Sequence, residues 1–156
     1  MNPPNTWAAG HVNRWHSNDC HVLRNSQDTN HQHSARVALL LWHFWPNVDA
    51  QTLLVALMHD LPEKVTGDVS GWTKRHEPIL RGCLGVIERF WHERNGTLTS
   101  DDPRVGFCDK LDAVLWAWTV DPSLMQREDW QEAVDNLRGM AYELGVSDKL
   151  EAMIDD

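Results

Sequence analysis

Apolar residues recur at helical spacing along most of this chain, and this pattern limits the possible folds more than any other feature of the sequence. The segment before Pro46 is an example, because its apolar residues lie three or four positions apart, as on one face of an α-helix. They are Val37, Leu40, Leu41 and Phe44. No stretch alternates between apolar and polar residues for long enough to indicate a β-strand. The sequence therefore predicts an all-α protein, a bundle of five to seven helices.

Caps and prolines mark the ends of the predicted helices. Two helices are predicted over residues 32–45 and 50–59, since Pro46 follows the first and Asp49 is a suitable N-cap for the second. Further helices are predicted from the apolar residues within positions 79–91, 105–118 and 130–144, and a short last helix is capped by Ser147. Residues 1–30 lack periodicity and are predicted to be mostly loop. A chain of 156 residues, 1–156, fits a single domain.

The charge of the chain argues against polymeric nucleic acid as a partner. The sequence has 14 Lys and Arg residues against 23 Asp and Glu residues, a formal net charge of −9 at pH 7. A surface of that sign repels the phosphate backbone of DNA or RNA. A small anion can still bind, because a metal ion and a few local basic residues can override the overall field within a pocket.

The cysteines and the longest apolar run predict a soluble, cytoplasmic protein. The three cysteines are an odd number at spacings that match no disulfide framework, which is typical of a reducing compartment. The first ten residues have neither the basic head nor the apolar run of a secretory leader. The longest apolar run, residues 37–45, is interrupted by His43 and is too short to cross a bilayer, so no membrane partner is expected.

Four side chains with metal-binding donor atoms come from three different predicted helices. They are His33, His59, Asp60 and Asp109. Asp60 follows the end of an apolar helix, where the helix dipole disfavours a carboxylate. Asp109 stands among apolar neighbours, where an unpaired carboxylate is costly to bury. A divalent cation would relieve both penalties, and helical bundles build ion sites from facing helices in this way.

Two alternatives to this ligand set remain open. Asp112 lies three residues after Asp109, on the same helical face, and is a rival for the fourth ligand position. A separate zinc site near the amino terminus is the second alternative, although the spacing of its residues matches no standard cluster. These residues are His16, Cys20, His21 and His31.

The most specific string of the sequence is HDLPEKVTGD, which runs from His59 to Asp68. Three shorter strings accompany it, namely Arg14-Trp15-His16, Asn30-His31-Gln32-His33-Ser34 and Cys108-Asp109-Lys110-Leu111. By their order and spacing they resemble the HD-domain metal-dependent phosphohydrolases. Within that family the similarity is to the 5′-deoxynucleotidase branch, including compact phage dATP triphosphohydrolases. The resemblance covers residues 12–117, about two thirds of the chain.

The resemblance implies a metal site with an acid beside it. His33, His59, Asp60 and Asp109 match the four ligands of one divalent ion, and Glu63 matches the carboxylate that orients or deprotonates the attacking water. The ion implied is a transition metal, Co, Mn, Zn, Ni or Fe, because nitrogen and oxygen donors suit all of them. A second ion, Mg²⁺ on the substrate phosphates, is a further option.

The resemblance also implies a pocket for the substrate. Arg14 matches a residue that holds the substrate phosphate, and Lys74 is a further candidate because its ammonium group can form charge-assisted bonds to phosphate. Trp15 matches the aromatic residue that packs against the sugar where a 2′-hydroxyl would lie. Asp68 matches the residue that bonds the deoxyribose 3′-hydroxyl, and it is expected to be catalytic together with Glu63.

The function implied is release of phosphate or polyphosphate from a 2′-deoxynucleoside 5′-phosphate, by a 5′-deoxynucleotidase or a dNTP or dATP triphosphohydrolase. A metal ion suits this reaction because it lowers the pKa of water and offsets charge on the phosphoryl group. The expected partners are a small deoxynucleotide and further copies of the chain, in a dimer or hexamer. The compartment is the cytoplasm, or the host cytoplasm if a phage encodes the chain. The alternatives are another HD-type phosphodiesterase, a guanosine tetraphosphate hydrolase, and a non-catalytic binding module that the ion only stabilises.

Overall fold

The computed structural model describes residues 4–99 and 101–154, and this part of the chain contains ten α-helices and one 3-10 helix but no strand. The α-helices are α1 (Asn5–Ala9), α2 (His21–Arg24), α3 (Asn30–Phe44), α4 (Ala50–Met58), α5 (Glu63–Thr66), α6 (Gly71–His76), α7 (Pro78–Asn95), α8 (Pro103–Val120), α9 (Glu128–Glu143) and α10 (Ser147–Ile154). The 3-10 helix, Pro122–Gln126, lies between α8 and α9. The predicted all-α class is confirmed.

The number of helices exceeds the five to seven predicted, because α1, α2, α5 and α6 have only four to six residues each. A helix of that length holds too few turns to show an apolar repeat in the sequence. Two of these short helices, α1 and α2, interrupt the segment that was predicted to be mostly loop. Helix α1 begins directly after Pro4, a position where proline does not oppose a helix, since its missing N–H would have no intrahelical partner.

Helix α3 is the central element of the bundle. It begins where the backbone N–H of Thr29 donates to Gln32 Oε1 at 2.9 Å, and it ends before Pro46. It packs against both α4 and α8, and α8 packs in turn against α9. The buried apolar residues of the main core include Val37, Leu41, Phe44, Val55, Ala56, Phe107, Leu111, Leu137, Ala141 and Leu150. The three helices that carry the predicted metal ligands are therefore held side by side.

Side-chain caps fix where two of these helices begin. The Asp49 carboxylate accepts a hydrogen bond from the Thr52 N–H at 2.9 Å at the start of α4. The Asp102 carboxylate accepts one from the Arg104 N–H at 2.9 Å at the start of α8, where Pro103 is the first helical residue. The caps therefore define the start of α8, which carries Asp109, and the start of α4, which His59 and Asp60 follow.

Helix α7 keeps an apolar stripe on the surface. Ile79, Cys83, Val86 and Phe90 recur every three or four residues on the face turned away from the buried Leu84, and Ile79 is 83% exposed. Exposed apolar surface of this kind is common at contacts with other proteins. It is compatible with the expected homo-oligomer, which stays a prediction. Among the described helices, none combines the length and the apolar character that crossing a membrane requires.

Candidate metal centre

The four predicted metal ligands lie together where α3, α8 and the end of α4 meet. One ligand atom from each of His33, His59, Asp60 and Asp109 lies within 4.8 Å of the other three. His33 Nε2 is 3.2 Å from Asp60 Oδ2 and 3.2 Å from Asp109 Oδ1. The same nitrogen is 3.2 Å from His59 Nε2. Side chains that are up to 76 positions apart in the sequence therefore converge on one point.

Each ligand is placed by a helix or by a helix end. His33 stands in the first turn of α3, and Asp109 stands in the second turn of α8. His59 and Asp60 follow directly after the last residue of α4. The backbone at this helix end is held by Asn30, whose Nδ2 donates to the Asp60 carbonyl oxygen at 3.1 Å. The ligands thus stand on packed elements rather than on long loops, which favours a fixed geometry.

Hydrogen bonds at Nδ1 set the orientation of both imidazole rings. His33 Nδ1 is 2.7 Å from Asp112 Oδ2, and His59 Nδ1 is 2.7 Å from the Ala56 carbonyl oxygen. Ionised carboxylate and carbonyl oxygens can only accept hydrogen bonds, so both Nδ1 atoms carry the proton. In the neutral form that binds metal, both rings would direct their Nε2 lone pairs toward each other and toward the two carboxylates.

This donor set fits one divalent cation. The two Nε2 lone pairs and the carboxylate oxygens of Asp60 and Asp109 are all acceptors, so they repel one another unless a positive charge lies between them. Without an ion a proton supplies this charge: burial alone would lower the pKa of His33, but hydrogen bonds to Asp109, Asp112 and Asp60 raise it to about 11. Ligand atoms about 2.1 Å from a shared ion lie roughly 3–4 Å apart. The His–Asp distances of 3.2–3.8 Å match that spacing, and two carboxylates balance the charge of the ion.

Asp112 does not take the place of Asp109 in the cluster. Its carboxylate contacts His33 Nδ1, on the side of the ring opposite the Nε2 atom that faces Asp109. Asp112 is buried, and Arg36 Nε donates to its Oδ1 at 2.6 Å. The two aspartates share one face of α8, but the His33 ring lies between them, so they bind opposite edges of the same ligand. The alternative in which Asp112 takes the fourth ligand position is therefore wrong.

The second alternative, a zinc site near the amino terminus, is not formed. Its four residues, His16, Cys20, His21 and His31, all lie in the described part of the chain, where only the His33 cluster groups three or more metal-ligating side chains. The His31 ring instead packs beside His11, with ring centroids 5.4 Å apart. It also covers Gly10 so closely that any side chain there would collide with it.

Glu63 lies beside the cluster and is buried, with 6% of its surface exposed. Its Oε2 accepts a hydrogen bond from Asn30 Nδ2 at 3.1 Å, and its Oε1 is 3.7 Å from Lys74 Nζ. Burial and the charges of Asp60 and Asp68 raise the pKa of Glu63 to about 9. A cation bound in the cluster would lower this pKa by offsetting the charge of Asp60. Acids with strongly shifted pKa values next to a metal site are candidates for acid–base chemistry.

The buried Glu63 carboxyl makes stability depend on pH. Its pKa rises from 4.5 to about 9 on folding, so the folded state binds the proton more tightly, and the stabilisation is lost as pH rises between these values. We expect Glu63→Gln to raise the free energy of unfolding at about pH 8 by about 1–3 kcal/mol, because an amide is neutral without the proton uptake that burial of Glu63 requires at this pH. At about pH 4 the two proteins should be nearly equally stable. Urea unfolding with a chelator present measures both values, and an identical difference at the two pH values would contradict the expectation.

Arg14 lies close to the cluster, but it is bound to other carboxylates. It is 8% exposed, and its Nη1 is 3.2 Å from Asp28 Oδ2 and 3.5 Å from Asp112 Oδ2. Although burial opposes the shift, the charges of Asp60 and Asp109 raise the pKa of Arg14 above its usual value. The guanidinium group therefore adds positive potential to the cluster, while its contacts are with the carboxylates behind it.

Trp15 and Asp68 are brought into direct contact. The Trp15 backbone N–H donates to Asp68 Oδ2, and the indole Nε1–H donates to Asp28 Oδ2 at 3.2 Å. Trp15 has a φ of 65°, in the left-handed region that bulky residues rarely adopt. Gly67 also has a positive φ, and a side chain there would press on the His16 ring. These contacts lock the loop that carries Trp15 against the Gly67–Asp68 turn, and a role for either residue in sugar binding stays a prediction.

Three further residues of the site were not predicted from the sequence. Asp28 is fully buried and binds Arg36 and Arg14, and nothing in the local sequence marks it, because it lies in an aperiodic segment. Asn30 stands in one of the short motif strings, but its bonds to the turn after α4 depend on how the helices pack. Arg36 has a weak signal, since it lies three residues after His33 and so shares its helix face.

Comparisons with known proteins identify no relative of this chain. No protein family model, no curated protein and no solved structure matches it. The resemblance to HD-domain phosphohydrolases therefore stays a prediction.

Proposed function

We propose that this protein is a metal-dependent phosphohydrolase that acts on 2′-deoxynucleoside 5′-phosphates, either as a 5′-deoxynucleotidase or as a dNTP triphosphohydrolase with dATP among its substrates. One observation carries the proposal. His33, His59, Asp60 and Asp109 direct four acceptor atoms at one position, and a buried acid, Glu63, lies beside them. For an ion with six coordination positions, two imidazoles and two carboxylates leave two positions free, one for water and one for a phosphate oxygen.

The reaction requires an activated water, a base and a means of offsetting phosphate charge. A divalent transition metal held by the four ligands would supply Lewis acidity, which lowers the pKa of water and offsets charge on the phosphoryl group. Glu63 accepts the proton from the attacking water. Asn30 holds one of its oxygens, and Lys74 lies 3.7 Å from the other. The Lys74 charge opposes the rise in the pKa of Glu63 that burial causes, and it can also bind the substrate phosphate.

The sugar of the substrate is assigned to Trp15 and Asp68. The indole is held in place by its bond to Asp28, and a fixed aromatic wall excludes a 2′-hydroxyl by size. Asp68 uses one carboxylate oxygen to accept the Trp15 N–H, and the other is assigned to the 3′-hydroxyl. Arg14 is assigned to the phosphate site, to which it adds positive potential while its Nη1 binds Asp28.

A panel of nucleotides tests this proposal. Deoxyribonucleoside mono-, di- and triphosphates and the matching ribonucleotides are incubated with Mn²⁺, Co²⁺ or Zn²⁺, with and without Mg²⁺, and the products are separated by chromatography. We expect hydrolysis of the deoxy substrates to be at least about tenfold faster than that of the ribo forms. A chelator should abolish it, and added metal should restore it.

The products separate the proposal from its rivals. Orthophosphate from dAMP indicates a nucleotidase, and intact triphosphate from dATP indicates a triphosphohydrolase. If guanosine tetraphosphate is the only substrate that is hydrolysed, and pyrophosphate is released from it, the protein is a guanosine tetraphosphate hydrolase. If the protein binds metal and hydrolyses none of these substrates, the ion serves a non-catalytic module and the proposal is wrong.

A further inference from the structure

A network of charged side chains lies behind the His33 ring, and all of its members except the partly exposed Arg36 are buried. Two carboxylates, Asp28 and Asp112, are joined by two guanidinium groups, Arg14 and Arg36. Arg36 donates from Nε to Asp112 Oδ1 at 2.6 Å and from Nη2 to Asp28 Oδ1 at 2.9 Å. Arg14 Nη1 is 3.2 Å from Asp28 and 3.5 Å from Asp112. Two positive charges balance two negative charges, and pairing of this kind is what allows such groups to be buried.

Asp112 is the member of this network that contacts a metal ligand. Its Oδ2 accepts the His33 Nδ1–H at 2.7 Å, and its Oδ1 accepts from Arg36. Donors therefore occupy both of its oxygens. The Asp112 carboxylate cannot rotate without breaking a charge-assisted hydrogen bond in a buried place, where a lost bond is costly.

We propose that Asp112 is a positioning residue for the metal centre, which fixes the protonated Nδ1 and the ring plane of His33 so that Nε2 faces the cation. This inference rests on the proposed metal-dependent function and adds to it a residue outside the ligand set. Arg36 holds Asp112 in its orientation through two bonds, from Nε at 2.6 Å and from Nη2 at 3.0 Å. A carboxylate on the far nitrogen of a ligating histidine also raises the basicity of the nitrogen that binds the metal.

Asn at position 112 would oppose this arrangement directly. An amide offers one oxygen and one NH₂ group, whereas both Asp112 oxygens face donors, so one donor of His33 or Arg36 must meet the NH₂ group. If the NH₂ group faces His33, the ring relieves the clash by moving its proton from Nδ1 to Nε2. That proton would point into the cluster and block metal binding.

Asp28 provides the matched control, because it separates positioning from stability. It is as buried as Asp112, at 0% against 2% exposed, and it binds the same two guanidinium groups. It contacts no metal ligand in the described part of the chain. If the network has only a structural role, both Asp28→Asn and Asp112→Asn should lower the melting temperature, and neither should change the metal affinity.

The experiment measures the dissociation constants of Zn²⁺ and Mn²⁺ by calorimetry, with no substrate present, for the full-length wild type and both variants. We expect Asp112→Asn to weaken binding by about 10–100-fold and Asp28→Asn by less than about threefold. In ¹⁵N–¹H spectra of the Zn²⁺-loaded proteins, the His33 Nδ1–H signal should be present in the wild type and in Asp28→Asn, and lost or shifted in Asp112→Asn. If Asp112→Asn does not fold, Arg36→Lys takes its place, with an expected loss of about three- to tenfold.

The outcomes are distinct. Equal affinities in the two Asn variants, or an unchanged His33 signal in Asp112→Asn, would overturn the positioning role. Failure of the wild type to bind either metal would overturn it together with the metal centre. A wild type that binds metal, shows the Asp112 effect and hydrolyses no nucleotide would support the positioning role while refuting the hydrolase.

Discussion

Glu63→Gln is expected to reduce the rate of phosphate release from a deoxynucleotide by about 10²–10⁴-fold while metal binding persists. The amide keeps the size of the side chain, and its oxygen can still accept the hydrogen bond from Asn30 Nδ2. It cannot accept a proton from water, which is the step assigned to this residue. Because Glu63 is not one of the four ligands, the dissociation constant of Mn²⁺ should change by less than about threefold. Initial rates at saturating metal, together with calorimetry, measure both quantities.

Glu93→Gln is the matched control for this variant. Glu93 is an exposed glutamate on α7, and its substitution should leave turnover at the wild-type value. Normal turnover by Glu63→Gln would remove Glu63 from the mechanism. Loss of metal binding in that variant would instead assign Glu63 to the structure of the site. The expected gain in stability at about pH 8 shows independently whether the variant is folded.

Asp109→Asn is expected to weaken divalent metal binding by at least about 100-fold and to abolish turnover at micromolar metal. The Asp109 carboxylate is one of two negative charges that balance the ion, and its Oδ1 is 3.2 Å from His33 Nε2 and 3.8 Å from His59 Nε2. Its side chain is only partly buried, so an amide of the same shape should be tolerated by the fold. Millimolar metal should recover part of the rate by mass action.

An exposed aspartate on another helix gives the control for Asp109→Asn. Asp135 on α9 is 77% exposed, and Asp135→Asn should bind metal and turn over like the wild type. Each variant is titrated with Mn²⁺, and its metal affinity is measured by calorimetry and its turnover by phosphate release. Wild-type affinity in Asp109→Asn would mean that the ion is held without this carboxylate, and the four-ligand centre would be wrong.

The acidic side chains of the site form two layers, an inner one at the cluster of candidate ligands and an outer one behind the His33 ring. The inner layer, which includes Asp60 and Asp109, carries two negative charges that call for a divalent cation. The outer layer, with Asp28 and Asp112, is neutralised by two arginines and needs no ion. A metal-dependent change in stability is therefore expected to arise from the inner layer alone, since only that layer gains a binding partner.

The long helices could be predicted from the sequence, and the short ones could not. Helix α8 has apolar residues at helical spacing from position 105 to position 118, and proline at its start, so the local pattern predicts it. Helices α1 and α5 contain five and four residues, which is too few for a repeat to emerge. Helix α5 matters for the site because Glu63 is its first residue.

Asp60 and Asp109 could be predicted as candidate ligands because each is a carboxylate at a position that is costly without a cation, whereas His33 and His59 were predicted from their place in the motif strings. Spacing alone did not separate Asp109 from Asp112, since both lie on one face of α8, and the prediction of Asp109 rested on the resemblance. The position of the His33 ring between them decides it. The burial of Arg14 against carboxylates could not be predicted either, because its partner Asp28 lies in a segment without periodicity.

By itself, the sequence determined the helical class of this protein, the course of its longer helices and the four side chains that can bind a cation. These follow from local periodicity and from the chemistry of single residues, both of which can be read along the chain. Only the tertiary structure decided which aspartate joins the cluster of candidate ligands, that Arg14 is buried against carboxylates, and that Asp28 and Arg36 lie behind the His33 ring. Those contacts join residues far apart in the chain, and the packing of α3 against α4 and α8 creates them.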